Sequence, residues 1–412
     1  MPKYNPFRPS GIVAPGMFSG RLEELESLEK VLVQTKNDNA EYFLIRGERG
    51  IGKSSLLFYL QRVADGSITS IDDETFRFLT LPIEIDSSMS YESLIRKVVT
   101  ELHDKMSVKQ AWLDRAKKVV EFLGRWEVGG VKYNPDQNEL QRHELLDDLV
   151  RMLGETISDL GGDADGILVL IDEADKAAPG VALGETLKLL TERLTKRGCN
   201  RVSIGLAGLP DVVNVLARSH ASSPRIFKHL SLAPLSLDER RRVIRLGLDE
   251  AERRNGFATQ ITKEAENSIA IWSEGYPHFI QQFSYSAFDH DTDNTIDQSD
   301  FLAGAFSENG ALRQLGIKYF EGLYFEQIGS DEYRQVLKVM SRQRQEWVTK
   351  DQIRESAGLK PTTLNNAISA LLRRNIIVAK PGSKGVYKLP SVAFEAWVRA
   401  FTEGDLPSPP PT

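Results

Sequence analysis

The sequence predicts an α/β protein with a doubly wound parallel sheet, followed by a helical segment and a small C-terminal domain. Two apolar runs, at 42–45 and 167–171, consist of residues that suit strands buried on both faces of a parallel sheet. Helical stretches separate these runs from three further strand candidates at 76–85, 201–206 and 228–232. Strands that alternate with helices in this way are typical of a doubly wound domain.

Length and composition set the broad class of the protein. A chain of 412 residues exceeds one typical core, so two or three domains are expected. The 41% hydrophobic and 27% charged residues are ordinary for a globular protein, and the net charge of -6 gives no overall sign of nucleic-acid binding. No run has the length of a membrane span, no signal-peptide core is present, and a single cysteine, Cys199, excludes an internal disulfide. We therefore expect a cytoplasmic protein with no membrane partner.

Changes in composition and periodicity divide the chain into five segments. They are an extended arm at 1–17, the α/β core at 18–235, a helical segment at 236–325, a C-terminal domain at 326–404 and a disordered tail at 405–412. Ser236 and Glu239 form a capping-box pattern that opens the helical segment. Inside the core, alternation around Gly129-Gly130 predicts a hairpin insertion at 124–134, which either packs on its own domain or contacts nucleic acid or another subunit. Pro82 places the strand at 76–85 at or near a sheet edge.

A glycine-rich motif of the form G-x-x-x-x-G-K-S follows the first strand and precedes a helix. Its residues are Gly47, Glu48, Arg49, Gly50, Ile51, Gly52, Lys53 and Ser54, with Ser55 next in the helix. The glycines allow backbone N–H groups to point at phosphate oxygens beside a helix N-terminus. Lys53 can reach the β- and γ-phosphates, and the Ser54 hydroxyl can bind Mg²⁺. The motif therefore predicts a nucleotide-phosphate site, whereas an incidental lysine after a glycine turn is the alternative.

A pair of acids, Asp172 and Glu173, follows the apolar strand at 167–171. In an ATPase with a phosphate loop, an Asp at this position holds Mg²⁺ and a neighbouring Glu can polarise the attacking water. The alternative is that both acids only cap the helix that begins near Ala174. We predict Lys53 and Glu173 as catalytic residues, and Ser54 and Asp172 as metal ligands.

These motifs together resemble an AAA+ ATPase of the branch that contains origin-recognition initiators and STAND signalling ATPases. The resemblance covers about residues 5–300 and, less specifically, the C-terminal domain. Four segments carry it: Phe18 to Leu25, which resembles F-x-G-R-x-x-E-L; Gly47 to Ser54, the Walker A motif; Leu168 to Glu173, the Walker B motif; and Gly275-Tyr276-Pro277, which resembles the G-x-P of the helical lid. The resemblance implies a helical lid at 236–325, with ATP and Mg²⁺ as cofactors. It places Phe18 and Arg21 near the adenine, and Pro277 on the other side of the nucleotide.

The sequence departs from this family at two positions and matches it at a third. Residues 207–210 offer no polar sensor side chain, and His278 stands where many relatives have a second sensor arginine. Hydrolysis is therefore expected to be slow or partner-dependent. Arg225 precedes the last strand, where relatives keep an arginine finger that reaches the nucleotide of a neighbouring subunit. The finger implies a homo-oligomer, whereas a surface arginine or a local salt bridge is the alternative.

The C-terminal domain has the element order of a winged helix-turn-helix. Helices are predicted at 331–342, 349–357 and 361–374, and strands at 376–380 and 386–389. Residues 331–404 contain thirteen Lys and Arg against seven Asp and Glu, a net charge of +6 that leaves -12 on the rest of the chain. This basic domain predicts contact with double-stranded DNA.

The third helix of such a domain enters the major groove with its N-terminus first, and the hairpin forms the wing. The predicted DNA contacts are Thr362, Thr363, Asn365 and Asn366 on the helix, and Lys380, Lys384 and Lys388 on the wing. Winged helices also pack on their own ATPase core, so a structural or regulatory role is the alternative. Two hypotheses therefore remain open. One is a DNA-binding AAA+ ATPase, and the other is a STAND-type signalling switch, in a role such as antiviral defence, that controls a separate effector protein.

Overall fold

The structure is a computed structural model that describes residues 3–12, 20–107 and 139–403. The predicted hairpin at 124–134, Phe18 and the tail at 405–412 lie outside the described residues. The chain divides into two compact units. One runs from Ile12 to Ala233, and the other combines the first eleven residues with those from Pro234 onward.

A five-stranded parallel sheet forms the centre of the first unit. Its strands are β1 (Phe43–Arg46), β2 (Phe78–Glu84), β3 (Gly166–Asp172), β4 (Val202–Gly208) and β5 (Lys228–Ser231). The spatial order is β2-β3-β4-β1-β5, so β4 lies between β1 and β3. All five predicted strands are present, and β2 is at an edge, as Pro82 predicted, where the missing proline N–H does not interrupt a central ladder.

Six helices of the first unit are described. They are α1 (Leu22–Lys36), α2 (Lys53–Ala64), α3 (Tyr91–Ser107), α4 (Glu139–Leu160), α5 (Leu183–Lys196) and α6 (Val212–Ser219). Side chains of β2, β3 and β4 form one continuous buried cluster with α3, α4 and α5. The close packing of β1 on β4 requires Gly205, because a Cβ there would lie 2.0 Å from Cζ of Phe43. The expected α/β architecture is confirmed in this unit.

The second unit begins with a helical segment. It contains α7 (Leu237–Asn255), α8 (Lys263–Trp272), α9 (Pro277–His290), α10 (Gln298–Phe306) and α11 (Ala311–Leu315), with the short parallel pair β6 (Gln260–Ile261) and β7 (Thr295–Ile296). Two π-helical turns continue from α11 to Gln327. The predicted capping box is present, since Ser236 Oγ accepts from Glu239 N and Glu239 Oε2 accepts from Ser236 N. Trp272 is packed edge-on against Phe283 and Phe301 in the centre of this segment.

Three helices and a three-stranded antiparallel sheet follow. They are α12 (Asp331–Ser341), β8 (Val348–Thr349), α13 (Lys350–Ala357), α14 (Pro361–Arg373), β9 (Val378–Ala379) and β10 (Val386–Lys388), and the chain then enters α15 (Val392–Val398). The strand order is β8-β10-β9, so one strand more is present than the sequence predicted. Val348 and Thr349 are too few residues to produce a strand pattern, and their pairing with β10 depends on a distant part of the chain. The three predicted helices and the two predicted strands are present in the predicted order.

The N-terminal arm packs on α7 and α9 of its own unit. Phe7 is buried at 2% exposure, and it lies over Gly247, where a Cβ would approach the Phe7 ring to 2.2 Å. The Asn255 side chain exchanges two hydrogen bonds with the backbone of Tyr4, and Lys3 pairs with Asp291. Residues 3–12 form neither helix nor strand, and these contacts hold them on the second unit.

Candidate nucleotide-binding site

The glycine motif forms the turn between β1 and α2. Gly50 and Gly52 have φ of 79° and 98°, a region that glycine enters without the steric cost that a side chain adds. Gly47 is buried, and a Cβ there would lie 2.8 Å from Ile51 Cγ2. Glu48 and Arg49 are exposed at the outside of the turn. The backbone of this loop is therefore curled and closely packed, as a phosphate cradle requires.

Lys53 begins α2, and its ammonium group lies inside the curl of the loop. The group donates to the carbonyl oxygens of Gly47 and Glu48 at 2.9 and 3.0 Å. Burial lowers the pKa of Lys53, while the negative charges of Asp172 and Asp175 act in the opposite direction. The lysine therefore stands at the meeting point of the loop and the acids, where an anionic phosphate would relieve its desolvation.

The two predicted acids lie at the carboxyl end of β3. Asp172 is its last residue, and Asp172 Oδ1 accepts from the backbone N of Glu173 at 2.8 Å. Glu173 has φ of 54°, uncommon for a residue with a side chain, and its carboxylate forms an ion pair with Lys176. This backbone conformation turns the chain sharply from the strand into a short 3₁₀ turn at 174–176. The acids therefore stand on a turn at the end of β3 and do not cap an α-helix.

A third acid, Asp175, also belongs to this edge of the sheet, and the sequence analysis did not select it. Asp175 Oδ1 accepts from the backbone N of Leu209 at 2.8 Å. Its only sequence signal was its spacing, three residues after Asp172. Its hydrogen-bond partner, Leu209, follows the end of strand β4, which is distant in sequence.

Arg21 lies directly before α1 with φ of 65° and is 8% exposed. Its guanidinium donates to the carbonyl of Ile51 at 3.3 Å and pairs with Glu24 at 3.4 Å. Arg21 therefore braces the outside of the glycine loop from α1. Its predicted position near an adenine stays a prediction.

Comparison with known proteins agrees with this geometry. Residues 17–201 match the AAA ATPase domain family. An uncharacterized HTH-type transcriptional regulator of Methanocaldococcus jannaschii is 25% identical over 285 residues, which are 68% of this chain and 65% of that protein. The chain therefore aligns with slightly under two thirds of that relative.

Two solved structures resemble nearly the whole chain at low similarity. Cdc6p from Pyrobaculum aerophilum is 15% identical, with a TM-score of 0.44 and 98% of each chain covered. The Aeropyrum pernix ORC2 protein, in ADPNP–ADP complexes, is 13% identical, with a TM-score of 0.49, 94% of this chain covered and 95% of that one.

Arg225 follows the AAA ATPase domain match, in a 3₁₀ turn at 223–226 immediately before the edge strand β5. His229 contacts the carbonyl of Pro224 at 2.8 Å and holds this turn. The Arg225 side chain is exposed and makes no hydrogen bond or ion pair within the described part of the chain. The local salt bridge that was its alternative reading is therefore absent from the described ranges.

The G-x-P segment forms the turn between α8 and α9 in the second unit. Pro277 is the first residue of α9, and Gly275 has φ of 83°. A Cβ on Gly275 would lie 2.5 Å from the carbonyl oxygen of Leu235. The preceding residue, Glu274, is half-buried and accepts from Ser391 Oγ and from the backbone N of Ala393, both at 2.8 Å. Burial raises the pKa of Glu274, and these hydrogen bonds act against that shift. The turn is thus tied to the start of α15.

The predicted DNA contacts lie on two elements of the C-terminal part. Thr362, Asn365 and Asn366 are exposed in the first turns of α14, Thr363 is half-buried, and none of these side chains is hydrogen-bonded to another described residue. Lys384 is exposed at the tip of the β9–β10 turn. The ammonium groups of the other two lysines, Lys380 and Lys388, lie 5.9 and 5.5 Å from the ring centre of Trp347.

Two classes of site are not seen. No helix in the described ranges is both long and apolar enough to cross a bilayer. Residues 3–12, 20–107 and 139–403 contain no group of three or more His, Cys, Asp or Glu side chains placed to hold a metal ion on their own. A metal at Asp172 would therefore need further ligands, such as the Ser54 hydroxyl and nucleotide phosphates.

Proposed function

We propose that the protein binds ATP with Mg²⁺, hydrolyses it slowly, assembles in an ATP-dependent manner and contacts duplex DNA. One observation carries the nucleotide part of this proposal. Lys53 lies in a loop with left-handed glycines, in the electrostatic field of acids at the end of β3. A curled backbone, a cation and metal-binding carboxylates are what phosphoryl transfer requires.

Each residue of the site has a role in this proposal. The loop from Gly47 to Ser54 binds phosphates, Ser54 and Asp172 hold Mg²⁺, and Glu173 orients the attacking water. The metal would neutralise charge on the β- and γ-phosphates. Residues 207–210 supply no polar side chain to the γ-phosphate, which favours slow turnover.

Assembly is proposed to depend on Arg225. An arginine supplied by a neighbouring subunit stabilises transition-state charge on the transferred phosphoryl group. The exposed Arg225 side chain beside an edge strand is suited to reach such a neighbour. Turnover per protomer is then expected to rise with protein concentration.

DNA contact is proposed for the first turns of α14 and for the wing. The Thr and Asn side chains at the start of α14, which have no hydrogen-bond partner among the described residues, and the basic residues of the wing are suited to phosphates and base edges. The description of the Methanocaldococcus relative as an HTH-type transcriptional regulator supports this choice.

A signalling switch of the STAND type is the second candidate, and a specific observation favours it. The C-terminal part is joined to the helical segment in one compact unit by contacts such as the hydrogen bond from Ser391 to Glu274. Arg374 also donates to the carbonyl of Gln327. Such packing is what a structural or regulatory winged helix needs. In that case ATP would control a separate effector protein.

The nucleotide proposal is tested with Lys53→Ala and the matched control Lys30→Ala, an exposed lysine on α1 of the same unit. ATP affinity is measured by equilibrium binding, and turnover by phosphate release over a range of protein concentrations. Lys53→Ala should lose both activities and Lys30→Ala neither. Unchanged ATP affinity in Lys53→Ala would refute the site. Turnover of Arg225→Ala that equals wild type at every protein concentration would refute the arginine finger.

The DNA proposal is tested in a salt series with Lys384→Glu and the control Lys263→Glu, an exposed lysine at the start of α8. Losing one phosphate contact should reduce the slope of log affinity against log salt by about 1. The control should leave the slope unchanged. If wild-type protein has no affinity for duplex DNA at low salt, the switch hypothesis replaces this one.

A further inference from the structure

The peptide group between Gly208 and Leu209, at the carboxyl end of β4, forms hydrogen bonds through both its carbonyl and its N–H group. Its carbonyl accepts from the backbone N of Gly47, the first residue of the phosphate loop, at 3.3 Å. Its N–H donates to Asp175, on the turn that carries Asp172 and Glu173, at 2.8 Å. Because β4 lies between β1 and β3, this one peptide connects the loop after β1 to the acidic turn after β3.

The packing around this peptide leaves no room for a side chain at its first residue. Gly208 is buried, and a Cβ there would lie 2.9 Å from Asp175 Oδ1 and 3.0 Å from Cβ of Val212. The stretch 207–210 consists of Ala, Gly, Leu and Pro, so the backbone supplies the polar groups at this end of β4. Absence of the side chain at Gly208 is therefore what lets Asp175 approach the strand.

We propose that Asp175 is a positioning residue that holds the Gly208–Leu209 peptide and, through it, sets the phosphate loop relative to the acidic turn. This inference deepens the proposed ATPase function and rests on it for its kinetic consequence. A carboxylate makes a stronger hydrogen bond with an N–H group than a neutral acceptor does. It also polarises the peptide, so that the carbonyl becomes a better acceptor for Gly47. Asp175 thus acts on hydrolysis through other residues and need not touch the nucleotide.

A different role for Asp175 has to be separated from this one. Its negative charge also acts on Lys53. Asp175→Asn keeps an acceptor oxygen for Leu209 and removes the charge, whereas Asp175→Ala removes both. Asp163→Ala is the matched control, since Asp163 is an exposed acid before β3, at the opposite end of that strand.

The first measurement is amide hydrogen exchange of the full chain without nucleotide, so it does not require any ATPase activity. Loss of the hydrogen bond to the Asp175 carboxylate should speed exchange in segments 43–52 and 204–212 by about tenfold in Asp175→Ala. Asp163→Ala should exchange like wild type in both segments, and Asp175→Asn, whose amide oxygen is a weaker acceptor, should fall between wild type and Asp175→Ala. Unchanged exchange in Asp175→Ala, or a change confined to 204–212, would overturn the proposed link to the phosphate loop.

The second measurement is steady-state ATP turnover. Asp175→Ala should lower kcat by about tenfold with little change in KM, because alignment of the loop and the acids matters most in the transition state. Asp175→Asn should recover part of kcat, because its amide oxygen still accepts from Leu209 but more weakly than a carboxylate does. A kcat for Asp175→Asn as low as that for Asp175→Ala would overturn the proposal in favour of the charge. If wild-type protein shows no turnover at all, the proposed function fails, and the exchange measurement still decides the inference.

Discussion

Replacing Glu395 by Gln is expected to remove a pH dependence of stability from the second unit. Glu395 is 3% exposed on α15, and its Oε2 accepts from the backbone N of Gln345 at 2.9 Å and from Gln345 Nε2 at 2.7 Å. Gln345 and its neighbour Arg344 have φ of 69° and 47°, a conformation that costs energy in residues with a side chain. Glu395 therefore holds the strained turn that leads from α12 to β8.

The size and the sign of this pH dependence of stability follow from the burial of the Glu395 carboxyl group. Desolvation raises the pKa of Glu395 from 4.5 to about 7, although Gln345, Arg399 and Lys388 act in the opposite direction. The folded state thus binds a proton more tightly than the unfolded chain does. The resulting stabilisation is complete below pH 4.5 and is lost as pH rises through about 7. The total change in the free energy of unfolding is about 3 kcal/mol, and most of it is lost between about pH 5 and pH 8.

The assay is urea unfolding at several pH values, followed by fluorescence, with Trp397 on the same helix as a reporter. Glu395→Gln keeps one acceptor oxygen for Gln345 and cannot ionise. The difference in free energy of unfolding between variant and wild type should therefore change by about 3 kcal/mol in favour of the variant as pH rises. Glu355→Gln, an exposed acid on α13, is the control and should show no such change. A pH-independent difference between Glu395→Gln and wild type would refute the reasoning.

Three further predictions each concern a contact that lies inside a single unit; two are in the second unit and one is in the first. Glu274→Ala leaves the half-buried Ser391 hydroxyl and the backbone N of Ala393 without their acceptor, and it should destabilise the second unit by about 1–3 kcal/mol in urea unfolding, whereas Glu274→Gln should cost less. Phe7→Ala should release the N-terminal arm, because the Phe7 ring is buried against Gly247 and this packing holds the arm on the second unit. Limited proteolysis of the arm should then accelerate, and an unchanged cleavage rate would contradict the docking. Gly205→Ala should overpack β4 against Phe43 and lower the midpoint of thermal unfolding by an amount that corresponds to about 1–3 kcal/mol.

Local sequence patterns were sufficient to predict an element where one short segment contains all the residues that define it. The apolar run at 167–171 is long enough to identify a buried strand, and β3 spans Gly166–Asp172. The capping box at Ser236 needs only four consecutive residues, and its geometry is present. The strand β8 was missed because two residues have no period, and its pairing partner is β10, nearly forty residues away.

The sequence by itself determined the α/β class, the edge position of β2 and the glycine-rich loop between β1 and α2. These features depend on neighbours in the chain: an apolar period, a proline without an N–H group, and glycines at fixed spacing. Only the tertiary structure decided that Asp175 binds the end of β4, that Glu274 caps α15 and that Phe7 docks on Gly247. The physical reason is that burial and hydrogen-bond partners depend on which distant segments meet. Neither composition nor residue spacing specifies these contacts between distant segments. The contacts nevertheless decide the pKa of Glu395 and the surroundings of Lys53.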